Sequence, residues 1–584
     1  MSWISPRIWR SAESRFNDDE PLQALDVYTP DVLQQISHQG FDAIWMRGRL
    51  RELMRSDIFP ELNDSGAAQR VANLKQVIAD GDACGVKLYL YFNEPLSLPP
   101  SHDFWKRHPE LAGEPYVEHD FDWDELALCT SAPGVKEFFD ESLCHLFSDL
   151  LGLGGVILIT ASEYHTHCWS HRSRRIMNDK YMDNCLVDVA CSRCRDREPA
   201  EVVTELIEAW QRHAAAVNPA PRVWAWNWSW TMWYDSPPRD IIDKLPDQVE
   251  LMCDFERGGS REQTIGTVAI DEYALGYVGP SEQFQASRSA SLETNRPVCA
   301  KLQIGTTHEI ATVPNLPLIP NLFDKLKQIE AMQLDGLMCS WNFANSASLN
   351  TAAFGLFVRR ADLRQDQEAF CHALAVDTFQ VEDSGPVLAA WKLFCDSFAE
   401  YPFAIKMLYH SPMNFAPAYP LTLDYRDHPL GPMWVEHHPW GDRLDDCLEP
   451  FTLDQVCLSF EKMETLWNQG LALYAAALED LENRNAREEL SCARMIGCHL
   501  SAMRIIFEFH RHRKVIMEES GLSGPCTLPA DLRLTDLIQQ QKRVASAALE
   551  LIRLDTRFGY HQEAHAFFYD EKAIESAIRQ CSME

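Results

Sequence analysis

Two patterns in this chain carry chemistry. One is Glu163, a carboxylate that closes the apolar, β-branched run Gly155-Val156-Ile157-Leu158-Ile159-Thr160-Ala161-Ser162. The other is a set of soft donors just behind it: His165, His167, Cys168, His171 and the pair Cys191-x-x-Cys194. An apolar run of this kind suits a strand buried on both faces, as in a parallel sheet. A Glu at the carboxyl end of such a strand stands where barrel enzymes keep their catalytic groups, so Glu163 is a candidate acid. Cys168-x-x-His171 and Cys191-x-x-Cys194 can each chelate one ion, and together they read as a closed, tetrahedral, structural zinc site. His165, His167 and Cys185 compete for the fourth place. The excursion at about 164–198 has little apolar content, and bound metal would replace the missing core.

The elements that must position these residues follow from periodicity. Strand-like runs alternate with helical patterns at about 41–48, 85–95, 125–130, 155–163, 222–230, 249–256, 297–305 and 336–343. That alternation fits an α/β fold, a (β/α)₈ TIM barrel, followed by a mostly α-helical C-terminal domain. A doubly wound open sheet is the alternative, but no G-x-G-x-x-G follows the first run, and no organic cofactor is expected. The expected domains are a barrel at 1–360, a connecting region at 361–452 and a helical bundle at 453–584. Helices are expected near 386–400, 453–482, 485–518, 530–556 and 571–582. The segment 401–452 is rich in Pro, aromatics and His and reads as a long ordered loop. Leu- and Ala-rich faces of the bundle could also pair two copies into a homodimer.

Barrel catalytic groups project from strand carboxyl ends. That rule collects Glu94, Glu163, Asp254, Glu256 and Glu309, together with Arg47, Arg49, Asn227, Trp230, Trp341 and Asn342. Carboxylates with Trp and Asn, and no phosphate-gripping glycine loop, point to sugar chemistry. Glycoside cleavage needs two carboxyl groups flanking the bond, one of them a proton donor. The favoured pair is Glu163 as acid/base and Glu309 as nucleophile. An inverting pair of Glu163 with Asp254 or Glu256 is the alternative, and a non-catalytic carbohydrate-binding barrel is the rival. Each carboxylate also has a bland reading: Glu94 precedes a Pro and could cap a helix, and Glu256 adjoins Arg257. Arg47 and Arg49 would suit an acidic sugar, or a salt bridge. Trp224, Trp226, Trp228 and Trp230 alternate and share one face, expected to pack against helices, with Asn227 and Ser229 on the other. Trp230 and Trp233 are the ones expected to touch a sugar.

The glutamates of the fourth and seventh runs, with Trp341 on the eighth, resemble the large clan of retaining (β/α)₈ glycoside hydrolases. Tyr91-Phe92-Asn93-Glu94-Pro95 also looks like the family 20 hexosaminidases and the α-glucuronidase-type families. Family 20 sets an Asp before its acid, and Ser162 stands there in this chain, so substrate-assisted cleavage is not implied. The resemblance implies a retaining glycosidase, and a pocket closed by 401–452 would favour removal of terminal sugars from oligosaccharides or glycosides.

Composition excludes other classes. A formal charge of −33 argues against nucleic acid, which demands a basic face. No run of about 18 apolar residues predicts a membrane span. The start MSWISPRIWRSAESRF lacks the apolar stretch of a secretory leader. Eighteen scattered Cys suggest a reducing, cytoplasmic setting.

Overall fold

The computed structural model describes residues 3–118, 123–161, 163–173, 186–432 and 441–581. Ser162, Cys185 and the stretch 433–440 lie outside the described residues. Eight parallel strands close into a barrel: β1 (Arg7–Trp9), β2 (Ala43–Arg47), β3 (Lys87–Phe92), β4 (Gly155–Leu158), β5 (Arg222–Trp226), β6 (Glu250–Asp254), β7 (Val298–Lys301) and β8 (Gly336–Met338). Around the barrel the order is β1-β8-β7-β6-β5-β4-β3-β2.

The count of eight matches expectation, but one member differs. The first strand is Arg7-Ile8-Trp9, three residues that pair with β2 and β8 and are too short to show a period. The expected third strand is outside the barrel. Trp123–Leu128 pairs antiparallel with Ala112–Glu118 in a hairpin. Its burial rises along the strand, from exposed Asp124 to buried Leu128, so it lacks the burial on both faces that a barrel strand has.

Side chains at paired positions of parallel strands share a face. Tyr89 lies beside Trp45 and Gly155, and Trp224 lies beside Ile157 and Glu250. The Tyr89 and Trp224 rings meet at 5.3 Å between centroids. A Cβ at Gly336 would come within 2.5 Å of the Trp224 ring, and one at Gly155 within 2.5 Å of the Tyr89 ring. Trp224 therefore reaches from β5 across the interior to β8, which makes it barrel filling and not helix packing. The expected face of the tryptophans is reversed. Asn227 takes the outer face, where its Nδ2 donates to Ser287 Oγ on the helix Glu282–Glu293 at 3.2 Å.

Helices flank the strands as local sequence dictates. Pro133–Asp149 and Pro199–Ala214 each begin on a Pro whose missing N–H costs nothing there. Ala67–Cys84 ends at Gly85, left-handed at φ +75, which turns the chain into β3.

The chain divides into two compact units. One comprises Met1–Phe255, Glu282–Leu302 and Gln333–Cys339 and holds all eight strands. The other comprises Glu256–Ser281, Gln303–Met332 and Ser340–Glu584, so it includes the segments that leave β6, β7 and β8. It is helical, with Gly385–Phe398, Leu453–Leu478, Arg484–Glu519, Leu532–Leu554 and Glu571–Gln580 near the expected ranges. In its core the Phe394 and Trp467 rings stack at 4.0 Å, and Gly470 leaves the room Phe394 needs. Arg484–Glu519 has the length and apolarity to cross a bilayer, yet most of that stretch is buried within the unit. Glu489 on this helix is buried and accepts from Asn315 Nδ2 and the Leu349 N–H, both at 3.3 Å. Burial pushes its carboxyl up to about 7.

Two measurements check these packing arguments. Trp224→Ala is expected to cost about 3–5 kcal/mol of stability, read from the urea midpoint. Glu489 keeps its proton in the folded state to a pH at which the unfolded chain has lost it. Stability from this group is therefore full below about pH 4.5 and is lost as pH rises through about 7. Glu489→Gln should remove that loss, so the stability of variant relative to parent should increase across this window.

Candidate functional site

Glu163 follows β4 at the carboxyl end of the barrel interior and stays partly exposed. Its Oε2 accepts a hydrogen bond from the Tyr91 hydroxyl and, at 3.4 Å, one from the Asn93 amide. Tyr91 is the inward residue near the end of β3. Burial, reinforced by the Glu163 carboxylate, holds its hydroxyl well above the ordinary tyrosine range, so it remains a donor. Arg47 ends β2 beside Tyr91 in register. Its guanidinium lies 4.4 Å from the ring centres of both Tyr164 and Phe16, and Nη1 donates to Phe16 O at 3.3 Å. Arg49 pairs with Glu52 at 3.0 Å, so an acid within the chain already answers that charge.

A second carboxylate shares this interior. Asp254 ends β6, is 5% exposed, and its Oδ1 accepts from Trp226 Nε1 at 3.2 Å. Lys301 of β7 is side by side with it in register and fully buried. Lysines are seldom enclosed without an acidic partner, and Asp254 occupies the adjacent inward position. Tyr91, Asn93 and Lys301 were not expected as site residues, and Trp226 was expected to pack against helices. The available signal was period two: each lies an even number of residues from an inward-facing neighbour on its own strand.

The other expected carboxylates are engaged elsewhere. Glu94 is buried and accepts from the N–H groups of Leu50 at 2.7 Å and Leu96 at 2.8 Å. It is a loop fastener, raised above the usual carboxylate range by burial. Glu256 is fully buried in an ion pair with Lys325 of the helix Ile319–Met332, and Gln303 N–H donates to it at 3.3 Å. Glu309, expected as the nucleophile, is fully buried. It accepts from Leu275 N–H at 2.6 Å, Gly276 N–H at 3.1 Å and Thr307 Oγ1 at 2.9 Å. Gly276 permits this approach, because a Cβ there would lie 2.8 Å from Glu309 Oε1. Burial raises its pKa. Its carboxylate oxygens are thus engaged by the loop that carries Leu275 and Gly276. Trp230 is buried with Nε1 donating to Thr160 Oγ1 at 2.9 Å, which occupies its polar edge. Trp341 and Asn342 follow β8 and are 5% and 6% exposed.

Behind Glu163, four thiols converge. The sulfurs of Cys129, Cys168, Cys191 and Cys194 all lie within 4.8 Å of one another and can hold a metal ion. Cys129 takes the place expected of His171. That ring stacks on Tyr116 at 3.8 Å, and its Nδ1 lies 3.3 Å from His165 Nδ1. His165 Nε2 bonds to Glu114 O at 2.7 Å, and His167 Nε2 bonds to Thr160 O. Burial lowers both histidines to about 4, so each stays neutral at physiological pH. Cys129 escaped notice because it ends the run misassigned to the barrel.

No known family model matches the chain, and no curated protein matches it in sequence. Among solved structures it is similar to a GH138 enzyme targeting pectin rhamnogalacturonan II, with 8% identity and a TM-score of 0.52. That alignment covers 94% of this chain, which spans 63% of the other. Flavobacterium johnsoniae chitobiase aligns at 9% identity over 100% of this chain and 78% of that one, with a TM-score of 0.37. CpGH84B aligns at 8% identity over 99% and 77%, also at 0.37. The likeness to the GH138 enzyme is one of fold: this is a (β/α)₈ barrel resembling those of glycoside hydrolases.

If Glu309 holds the loop, Glu309→Gln should lower stability by about 1–3 kcal/mol, because the amide turns one acceptor into a donor facing N–H groups. Thermal unfolding followed by circular dichroism measures this. An unchanged melting temperature with lost activity would favour the nucleophile's role instead.

Proposed function

We propose that this chain is a glycoside hydrolase in which Glu163 is the general acid and Asp254 the second carboxyl group. The observation that carries the reading is the hydrogen-bonded Tyr91–Glu163 pair at the carboxyl end of β4, inside a barrel whose fold resembles glycoside hydrolases. Cleaving a glycosidic bond requires a proton on the leaving oxygen and a carboxylate facing the anomeric carbon or its attacking water. Glu163 is exposed enough to meet a leaving group. Tyr91 and Asn93 bond to one of its oxygens and fix the direction of the carboxyl. Asp254, also inward, has an indole N–H to orient it and Lys301 adjacent. Arg47, on the aromatic rings of Phe16 and Tyr164, supplies a cation at the same end of the barrel. The substrate in this reading is a carbohydrate, and the soft four-sulfur set suits zinc in a fastening role away from the chemistry.

The test is a panel of aryl and alkyl glycosides and pectic oligosaccharides, assayed with the parent and with Glu163→Gln and Asp254→Asn. Loss of a general acid matters most when the leaving group is poor. Glu163→Gln should therefore slow alkyl glycosides by about 10²–10⁴-fold and activated nitrophenyl glycosides much less. Asp254→Asn should slow both alike. Equal turnover by parent and both variants would refute the assignment. Sugar binding without hydrolysis by the parent would instead favour a carbohydrate-binding barrel.

A further inference from the structure

We propose that Cys129, Cys168, Cys191 and Cys194 bind one tetrahedral Zn²⁺ that fastens the segment carrying Glu163 to the hairpin after β3. The metal site stands on its own geometry. Its link to activity rests on the glycosidase reading.

The spacing identifies a single ion. Zn–S bonds of about 2.3 Å at tetrahedral angles place neighbouring sulfurs about 3.8 Å apart. Cys129 Sγ lies 3.7 Å from both Cys191 Sγ and Cys194 Sγ. A disulfide would need about 2.05 Å, and no disulfide forms among the described cysteines. A four-iron, four-sulfur cluster puts each cysteine on a different iron and a two-iron, two-sulfur cluster puts two pairs on separate irons, so four sulfurs all within 4.8 Å of one another stand too close for either. Four protein ligands leave no open coordination position, which makes the site structural and not catalytic.

The surroundings suit a charged thiolate centre. Four thiolates and one Zn²⁺ carry a net charge of −2. Arg193 Nε donates to Cys129 Sγ at 3.1 Å while its Nη2 is held by Ala112 O at 2.7 Å. Ser131 Oγ lies 3.2 Å from Cys194 Sγ and itself accepts from Arg197 Nη1 at 2.8 Å. Such outer partners orient metal ligands and offset their charge. Gly113 completes the fit, since a Cβ there would lie 2.8 Å from Cys168 Sγ.

The ligands join three stretches of chain. Cys129 follows the hairpin strand Trp123–Leu128, Cys168 comes five residues after Glu163, and Cys191 and Cys194 precede the helix Pro199–Ala214. Hydrogen bonds run parallel to the metal: Glu114 accepts from Cys191 N–H at 2.9 Å and pairs with Arg172 at 3.0 Å. The segment 163–173 is thus anchored by the ion at Cys168 and by the hairpin at Glu114. Without the ion, the segment is left to hydrogen-bonded anchors such as His165 on Glu114 O.

Elemental analysis of the full chain, purified without chelator from zinc-supplemented medium, should give about one zinc per chain. Cobalt substitution should give the absorption of tetrahedral thiolate cobalt. Gly113→Val and Cys129→Ser should each lower zinc content at least about tenfold, whereas His171→Ala should retain it. Should Cys129→Ser fail to fold, the cobalt spectrum of the parent still decides the site. Substoichiometric zinc, bound iron, or loss of metal in His171→Ala with retention in Cys129→Ser would each overturn the proposal. For the fastening, chelator-treated parent should show faster amide exchange across 163–173 and lower turnover, both restored by Zn²⁺. Unchanged exchange after metal removal would overturn the fastening role. Exchange and metal content are read without any substrate, so failure of the glycosidase reading would leave them intact.

Discussion

The barrel depends on how its interior is filled. Its strands are three to six residues long, so each offers only one to three inward side chains. The lower interior is taken by large rings, Trp224 and Tyr89, to which Gly336 and Gly155 yield room. Toward their carboxyl ends β2, β3, β6 and β7 present polar inward residues, Arg47, Tyr91, Asp254 and Lys301, while β5 presents Trp226. Alternation along a strand is what sets this polar layer directly above the apolar one. A substitution that displaced Trp224 would also disturb Trp226 and the carboxylate it orients.

That constraint separates carboxylates that look alike in sequence. Glu94, Glu163, Glu256 and Glu309 all follow strand-like runs. Three of them satisfy needs created by the fold: loop N–H groups for Glu94 and Glu309, and a buried ammonium for Glu256. A buried N–H must find an acceptor, and a carboxylate within reach supplies one. Glu163 differs in its donors, a phenol and a long amide contact, and in its remaining exposure. Asp254 differs in being inward-facing on the barrel itself.

The loops near Glu163 show the same economy of core. The hairpin and the described parts of the excursion, 163–173 and 186–198, contribute few apolar side chains and are held by polar devices. These are the histidines bonded to Glu114 O and Thr160 O, the Glu114–Arg172 pair, and the four sulfurs. The histidines that resemble ligands in sequence are therefore hydrogen-bonding struts. The ligand that completes the sulfur set comes from about forty residues upstream of Cys168.

What the sequence determined by itself was local. Helix ends followed from caps and periodicity, and 485–518 became Arg484–Glu519. The strands carrying Glu163 and Asp254 followed from apolar runs, and the pairing of Cys191 with Cys194 from a two-residue spacing. These features arise from neighbours in the chain, so the chain displays them. Tertiary structure decided which eight strands close, which face of β5 looks inward, which carboxylates are already engaged, and that Cys129 stands with the other three. Each of those depends on contacts between residues tens to hundreds of positions apart. Arg7–Trp9 is a strand only because β2 and β8 flank it, and Glu309 is engaged only because Leu275 and Gly276 present their N–H groups to it.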